Sequence, residues 1–182
     1  NIRSYFTNEL KAKGFETSFL VKSLGSDKTA PEILELSISP DIVNVENGDA
    51  DVTFRLRAKD DKTGFKNAVI WFKDPDKKKS LAQWIQFPKD KLTGDQLNGL
   101  YQASYTMPEF SQEGNWEISE IQITDTLDNR RTYFTNELKS KGFETSFSVK
   151  SLGSDKTAPE ILELSISPDI VNVEKGDSDV TF

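Results

Sequence analysis

The sequence predicts an all-β protein, an antiparallel Greek-key β-sandwich of about seven to eight strands, arranged as a tandem array. Three observations lead to this prediction. Apolar residues alternate with polar ones at a period of two over most of the chain. Turn-forming Gly, Pro, Asp and Asn residues separate these runs at regular intervals. A long segment also occurs twice. A β-barrel is the alternative that this pattern leaves open.

The duplicated segment is nearly identical in its two copies. Residues 1–54 recur as residues 129–182 at a constant offset of 128, with six substitutions and no gap. A fixed period is the signature of an array of similar units, and such identity without insertions indicates recent duplication of whole modules. We therefore expect further copies of the module on either side of this segment.

The module boundaries are predicted from a small, polar segment that ends in proline. This segment, residues 23–31, recurs at residues 151–159 and is typical of a linker between domains. One complete module is therefore expected at residues 27–154. Residues 1–26 are expected to carry the C-terminal strand of a preceding copy, and residues 155–182 the N-terminal strands of a following one.

The first half of the module contains three predicted strands. Alternating apolar side chains place the first at residues 34–38, continuing at 43–45 after a Ser-Pro-Asp break, and the second at 52–58. Residues 68–72 are apolar on both faces, which favours a central strand of a sandwich.

The second half is predicted to contain strands at residues 84–87, 101–105, 116–123 and 143–149. The third of these keeps its apolar residues on one face only if a β-bulge lies near Ser119 and Glu120. Residues 137–139 are predicted to form one helical turn, which Gly142 closes.

The strand pattern also predicts the core. The six side chains expected to be buried are Trp71, Trp116, Phe54, Leu56, Ile70 and Phe147. Trp84 lies between two glutamines and is the tryptophan to examine for exposure, because an exposed indole can stack on a sugar ring.

Composition excludes several classes of function. The chain has 30 acidic and 23 basic residues and a net charge of −7, which disfavours nucleic acids and anionic membranes as partners. It contains no histidine and no cysteine, so the commonest general base and the usual transition-metal ligands are missing. No apolar run approaches the length of a membrane helix, so we expect no membrane insertion. We expect a protein that is not an enzyme.

Four short motifs resemble a known family. Residues 27–31, 39–43, 60–64 and 123–129 are similar to the bacterial immunoglobulin-like tandem repeats of large surface and secreted adhesins. The resemblance implies an immunoglobulin-like sandwich, an extracellular or cell-surface location, and a non-catalytic spacer or stalk function. The alternative is a ligand-binding module that contacts glycan, ice or another cell and gains avidity from repetition.

An immunoglobulin-like topology would gather acidic residues at one pole. The linker and two loops at that pole carry a set of possible calcium ligands: Asp27, Asp60, Asp61, Asp125 and Asp128. Calcium takes six to eight oxygen ligands, which converging carboxylates can supply. The alternative is that these residues are ordinary turn formers that hydrogen-bond their own backbone.

The expected partners are neighbouring copies of the same repeat. The incomplete flanking copies carry strands with apolar faces, which are templates for pairing with the edges of the intact module or with another chain. Because the copies are nearly identical, we also expect strand exchange between chains. The residues concerned are Phe15, Phe19, Val21, Leu162, Leu164 and Ile166.

Overall fold

A computed structural model describes residues 3–21, 25–153, 157–165 and 167 of the chain. Two β-sheets face each other, so the predicted all-β sandwich is confirmed. The first sheet has the order β1-β3-β7-β6 and is antiparallel throughout. Its strands are β1 (Glu32–Ser39), β3 (Ala50–Lys59), β6 (Lys91–Gly94) and β7 (Asn98–Met107).

The second sheet has the order β2-β10-β8-β4-β5, with β9 paired to β8. Its strands are β2 (Ile42–Asn44), β4 (Phe65–Lys73), β5 (Ser80–Gln86), β8 (Gly114–Asp125), β9 (Arg130–Phe134) and β10 (Ser146–Lys150). The described part of the chain thus has ten strands, more than the predicted seven to eight. The difference arises because the break at residues 39–41 divides one expected strand into β1 and β2, and because β6 and β9 were not predicted.

One pairing departs from the predicted antiparallel arrangement. β2 and β10 are parallel, with Val43 opposite Val149. The break at residues 39–41 carries the chain from the first sheet to the edge of the second without reversing into a hairpin. The prediction of a wholly antiparallel sandwich is therefore wrong at this edge.

The long strand β8 pairs with two successive strands on one side. Its residues 114–117 pair with β10, and residues 120–124 pair with β9. The predicted bulge is confirmed: Glu120 lies opposite Trp71 and Ile118 opposite Phe72, so Ser119 is the extra residue. The helical turn is confirmed as α2 (Thr135–Ser140), which separates β9 from β10.

Aromatic rings fill the centre of the sandwich. The ring of Phe72 lies 5.4 Å from that of Phe54, 5.8 Å from that of Phe147 and 6.1 Å from that of Trp116. The predicted burial is confirmed for five of the six core residues, namely Trp116, Phe54, Leu56, Ile70 and Phe147. Rings at these separations add to the stabilisation that burial of their surface supplies.

Trp71 is the core prediction that is wrong. Its side chain is 38% exposed, because its neighbours Ile70 and Phe72 both face the first sheet. Alternation along the strand then directs Trp71 to the outer face. The apolar run 68–72 contains side chains on both faces, and its neighbours on the outer face leave Trp71 partly exposed.

The chain enters the module from the linker at one pole of the sandwich and leaves the module at the opposite pole. Asn129, just beyond the end of β8, donates a side-chain hydrogen bond to the carbonyl of Asp27 at 3.3 Å. Val149, close to the exit, pairs with Gly114, the first residue of β8. β8 has 12 residues, so the two poles are about 40 Å apart at the usual rise of a strand.

Where the structure describes them, residues 15–21 and 157–165 of the flanking segments lack the strand pairing expected of them. Residues 3–21 contain the short helix α1 (Thr7–Ala12), but residues 15–21 and 157–165 form no strand. The exposed fractions of Phe19 and Leu162 are both 89%. The expectation that these residues pair with the edges of their own module is therefore wrong, whereas pairing with another chain stays a prediction. Ile166 and residues 168–182 lie outside the described part.

Candidate functional site

Three loops meet at the pole where the linker enters the module. Antiparallel pairing of β1 with β3 and of β4 with β8 places the start of β1, the end of β3, the start of β4 and the end of β8 at this pole. The linker, the loop of residues 60–64 and the loop of residues 126–129 are therefore neighbours. Asp27 in the linker, Asp60 in the first loop and Asp125 at the end of β8 are buried acidic residues of this pole.

Asp27 is held by two threonines. Its Oδ1 accepts hydrogen bonds from the N–H and the hydroxyl of Thr29, at 3.0 and 2.8 Å. Its Oδ2 accepts the N–H and the hydroxyl of Thr63, at 3.2 and 2.7 Å. The N–H of Thr29, followed by the hydroxyls of Thr63 and Thr29, holds the pKa of Asp27 well below its usual range, against the opposing effect of burial. Asp27 is therefore a carboxylate at neutral pH.

Asp60 organises the loop that follows β3. Its Oδ1 accepts backbone N–H groups of Lys62, Thr63 and Gly64, at 3.0, 2.9 and 2.7 Å. Gly64 has a φ of +89°, and a Cβ there would lie 2.7 Å from Cβ of Gln96, so the turn requires glycine. The second carboxylate oxygen of Asp60, Oδ2, is buried and has no hydrogen-bond partner among the described residues.

Asp125 is fully buried at the end of β8. Its Oδ1 accepts the N–H groups of Leu127 and Asn129, at 2.9 and 2.8 Å. Its Oδ2 accepts the side-chain amide of Asn129 at 2.6 Å and lies 3.0 Å from the hydroxyl of Thr63. Thr63 therefore joins the third loop to the other two.

Three of the five predicted metal ligands come together. Asp27, Asp60 and Asp61 each provide an oxygen, and these oxygens lie within 4.8 Å of one another. Asp61 is exposed, and its Oδ1 lies 2.5 Å from the hydroxyl of Thr29. Asp61 also lies 4.0 Å from the ammonium group of Lys62, a loose surface ion pair.

Asp125 and Asp128 occupy different positions from these three. Asp125 reaches the group through Thr63. Asp128 adopts a positive φ of 64° in the following turn, and its carboxylate contacts the ammonium of Lys66 at 2.7 Å. The hydrogen bond from Lys66 is also the main reason why the pKa of Asp128 is lowered. Asp128 is thus compensated by a lysine.

The buried carboxylates of this pole have no basic partner. Among the ion pairs of the described residues, none involves Asp27, Asp60 or Asp125. Backbone N–H and hydroxyl groups provide the compensation instead. Buried charges are costly unless they are paired, hydrogen-bonded or bound to a metal, and among the described residues Oδ2 of Asp60 is the buried side-chain oxygen that lacks such a partner.

Sequence reasoning missed Thr29 and Thr63, which bridge the carboxylates. The available signal was their spacing, since Thr29 follows Asp27 by two residues and Thr63 follows Asp60 by three. At those spacings an aspartate accepts hydrogen bonds from the backbone of the following turn. The bridge from Thr63 to Asp27 depends on the tertiary fold.

A second surface feature lies on the outer face of the second sheet. Trp71 on β4, Trp84 on β5 and Phe134 on β9 are 38%, 50% and 60% exposed. Val69 faces Trp84 across the strands, and Glu120 lies between Trp71 and Phe134 in the register. Trp116, by contrast, is buried, and its indole N–H donates to the carbonyl of Gln112 at 2.9 Å.

Comparisons with known proteins give one family. The sequence model of a family described as a domain of unknown function (DUF7035) matches residues 26–167. No curated protein matches the chain significantly. Within the described ranges, no helix has the length and apolar character needed to cross a membrane. The matched range begins one residue before Asp27 and includes the whole of the predicted module.

Proposed function

This chain belongs to the DUF7035 family, and we propose that its module is a non-catalytic spacer or stalk unit of a large cell-surface or secreted, adhesin-like protein. The unit would hold another domain at a distance, and its expected partners are further copies of itself. In such an array each module contributes its own core and each junction adds a small contribution to stability.

The observation that carries this proposal is the position of the two linkers at opposite poles. Asp27 lies beside the end of β8, and Val149 lies beside its beginning. A module with this arrangement lengthens an array by its full height each time it is repeated. The recurrence of the linker at an offset of 128 residues supports the same conclusion.

The proposed topology is a Greek-key sandwich of the immunoglobulin type. The order β1-β3-β7-β6 corresponds to strands A, B, E and D of that fold. The order β2-β10-β8-β4-β5 corresponds to a continuation of A followed by G, F, C and C′. This correspondence supports the resemblance found in the sequence motifs. The tryptophan that fills the core here comes from β8, at Trp116, instead of from β4.

The exposed aromatic face supports a second candidate function, the binding of a glycan, ice or another cell surface. Trp71 and Trp84 lie diagonally across the β4–β5 pairing, and the polar residues Lys73, Ser80, Ser119 and Glu120 line the depression beside Trp71. Exposed indole rings can stack on sugar rings while neighbouring polar groups donate and accept hydrogen bonds. Repetition of the module would then increase the avidity.

Binding assays with the whole chain separate the two candidates. We expect no binding to a panel of immobilised glycans, to ice or to cells, because a spacer needs only its neighbours. Two variants serve as a matched pair, Trp84→Ala on the aromatic face and Phe110→Ala at an exposed aromatic residue of the loop between β7 and β8. Binding that is lost in Trp84→Ala and kept in Phe110→Ala would overturn the spacer function in favour of ligand binding.

A further inference from the structure

We propose that Asp27, Asp60 and Asp61 bind a calcium ion at the pole where the linker enters, and that the ion fixes the linker to its module. The ligands come from two segments, the linker and the loop after β3. An ion that bridges them restricts the direction in which the chain enters the sandwich. This inference concerns the module itself and does not depend on the spacer function.

The geometry of the three carboxylates suits calcium. One oxygen from each residue lies within 4.8 Å of the others. Calcium binds oxygen at about 2.3–2.6 Å, so two ligands of one ion are separated by at most about 5 Å. The three side chains need no large rearrangement to contact a single ion. Bidentate binding and water complete the six to eight positions that calcium fills.

The buried oxygen of Asp60 provides independent support. Asp60 is 6% exposed, and its Oδ1 already accepts three backbone N–H groups. Its Oδ2 is buried and accepts no hydrogen bond from the described residues. An unpaired buried carboxylate oxygen is strongly unfavourable, so a positively charged partner at this atom would stabilise the folded state. It is therefore the expected ligand atom of Asp60.

The two threonine hydroxyls cannot satisfy the carboxylates around them. The hydroxyl of Thr29 contacts oxygens of both Asp27 and Asp61, at 2.8 and 2.5 Å. The hydroxyl of Thr63 contacts oxygens of both Asp27 and Asp125, at 2.7 and 3.0 Å. Each hydroxyl has a single hydrogen to donate. In each pair, one of the two contacts therefore brings two oxygen acceptors together with no hydrogen between them. A bound cation would balance the negative charge of these oxygens.

The chemistry of the donors selects the type of ion. All the groups that converge here are oxygen donors, and the chain contains neither histidine nor cysteine. Carboxylate and carbonyl oxygens favour hard cations over zinc, copper or iron. Magnesium requires a regular octahedron of closer ligands, whereas calcium accepts irregular loops. The loop geometry at this pole therefore favours calcium over magnesium.

The test is isothermal titration calorimetry of the metal-free 182-residue chain with calcium chloride, together with thermal unfolding in calcium and in chelator. We expect one ion per chain, because the chain contains one copy of the loop 60–64. We also expect a higher unfolding temperature in calcium, since an ion that binds only the folded state stabilises it. Magnesium chloride is the matched titrant, and we expect it to bind more weakly.

Asp60→Asn is the informative variant, because the amide can keep the oxygen that accepts the three N–H groups while replacing Oδ2 by a donor. We expect the calcium affinity to fall by about tenfold or more and the thermal shift to be lost. Asp74→Asn is the matched control. Asp74 is also 6% exposed, and its Oδ1 accepts the N–H groups of Lys78 and Lys79, but it lies outside the acidic group.

A second variant keeps the test decisive if Asp60→Asn does not fold. Asp61 is exposed, so Asp61→Asn should leave the fold intact and lower the calcium affinity. The absence of calcium binding to the unmodified chain at millimolar concentration would overturn the proposal. Equal calcium affinities of the unmodified chain and Asp61→Asn, or of Asp60→Asn and Asp74→Asn, would overturn it as well.

Discussion

Thr63 donates two hydrogen bonds to the same oxygen of Asp27, one from its backbone N–H at 3.2 Å and one from its hydroxyl at 2.7 Å. The two residues are 36 positions apart in the sequence. Asp27 belongs to the linker, and Thr63 belongs to the loop between the two sheets. Their contact therefore attaches the linker to the body of the module before the first strand begins.

This contact predicts that Thr63→Val destabilises the module. Valine keeps the shape of threonine but lacks the hydroxyl that reaches Asp27 and Asp125. We expect the midpoint of thermal unfolding to fall by about 2–6 °C. Thr53→Val is the control, because the hydroxyl of Thr53 contacts the hydroxyl of Ser104 on the surface, at 2.8 Å, and lies away from the acidic group. Equal effects of the two substitutions would contradict the role assigned to Thr63.

The different exposures of the three tryptophans predict different losses of stability when each is replaced by alanine. Trp116→Ala removes a buried ring and should lower the free energy of unfolding by about 3–5 kcal/mol. Trp84→Ala removes a half-exposed ring and should cost less than about 1 kcal/mol. Trp71→Ala should lie between these values. Denaturant unfolding followed by circular dichroism gives all three numbers. A larger cost at Trp84 than at Trp116 would contradict the packing described above.

Tyr101 predicts a loss of stability at alkaline pH. Burial, with a smaller contribution from Asp95, raises the pKa of Tyr101 to about 12. In the unfolded chain the phenol ionises near pH 10. The raised pKa of Tyr101 therefore contributes its full stabilisation of the folded state below pH 10. This stabilisation, about 1–3 kcal/mol, is lost as the pH rises to 12.

The measurement is the free energy of unfolding at pH 9 to 12 for the unmodified chain and for Tyr101→Phe. Lysines and the other tyrosines titrate in both proteins, so the difference between the two isolates Tyr101. We expect the unmodified chain to lose more stability than Tyr101→Phe over this range. Parallel curves would show that Tyr101 ionises equally well in the folded and unfolded states.

The duplicated segment predicts strand exchange between chains. Phe19 is 89% exposed, whereas its counterpart Phe147 is buried in the core. Segment 15–21 of one chain can therefore take the place of residues 143–149 in another. We expect analytical ultracentrifugation to show a dimer whose fraction rises with concentration. Phe19→Asp should abolish the dimer, whereas the control Phe6→Asp, at another exposed residue, should not. A strictly monomeric chain would contradict strand exchange.

The duplication also shows why some elements could be predicted from the sequence. Residues 7–12 and 135–140 are helical in both copies, although only the second copy belongs to the sandwich. Local signals therefore suffice for this turn. Residues 146–150 form a strand, whereas the matching residues 18–21 do not. A strand needs partners, so alternation predicts where a strand can form and the tertiary fold decides whether it does.

The candidate site was predictable in part for a similar reason. The acidic residues could be placed at one pole because an immunoglobulin-like topology gathers there the linker and the two loops that carry them. The partners of their side chains could not be assigned. Asp128 is directed to Lys66 by a positive φ, and Thr63 reaches Asp27 only after the two sheets have packed. Trp71 was misplaced because an apolar run does not show which face is covered.

Small-angle X-ray scattering of chains that carry one, two and three complete copies of the 128-residue repeat tests the spacer function most directly. The opposite positions of the linkers predict that the maximum dimension grows by about 40 Å with each added copy. The cross-sectional radius should stay constant. A maximum dimension that grows much less, together with a widening cross-section, would show that the modules fold back on one another and would contradict the account of this protein as an extended spacer.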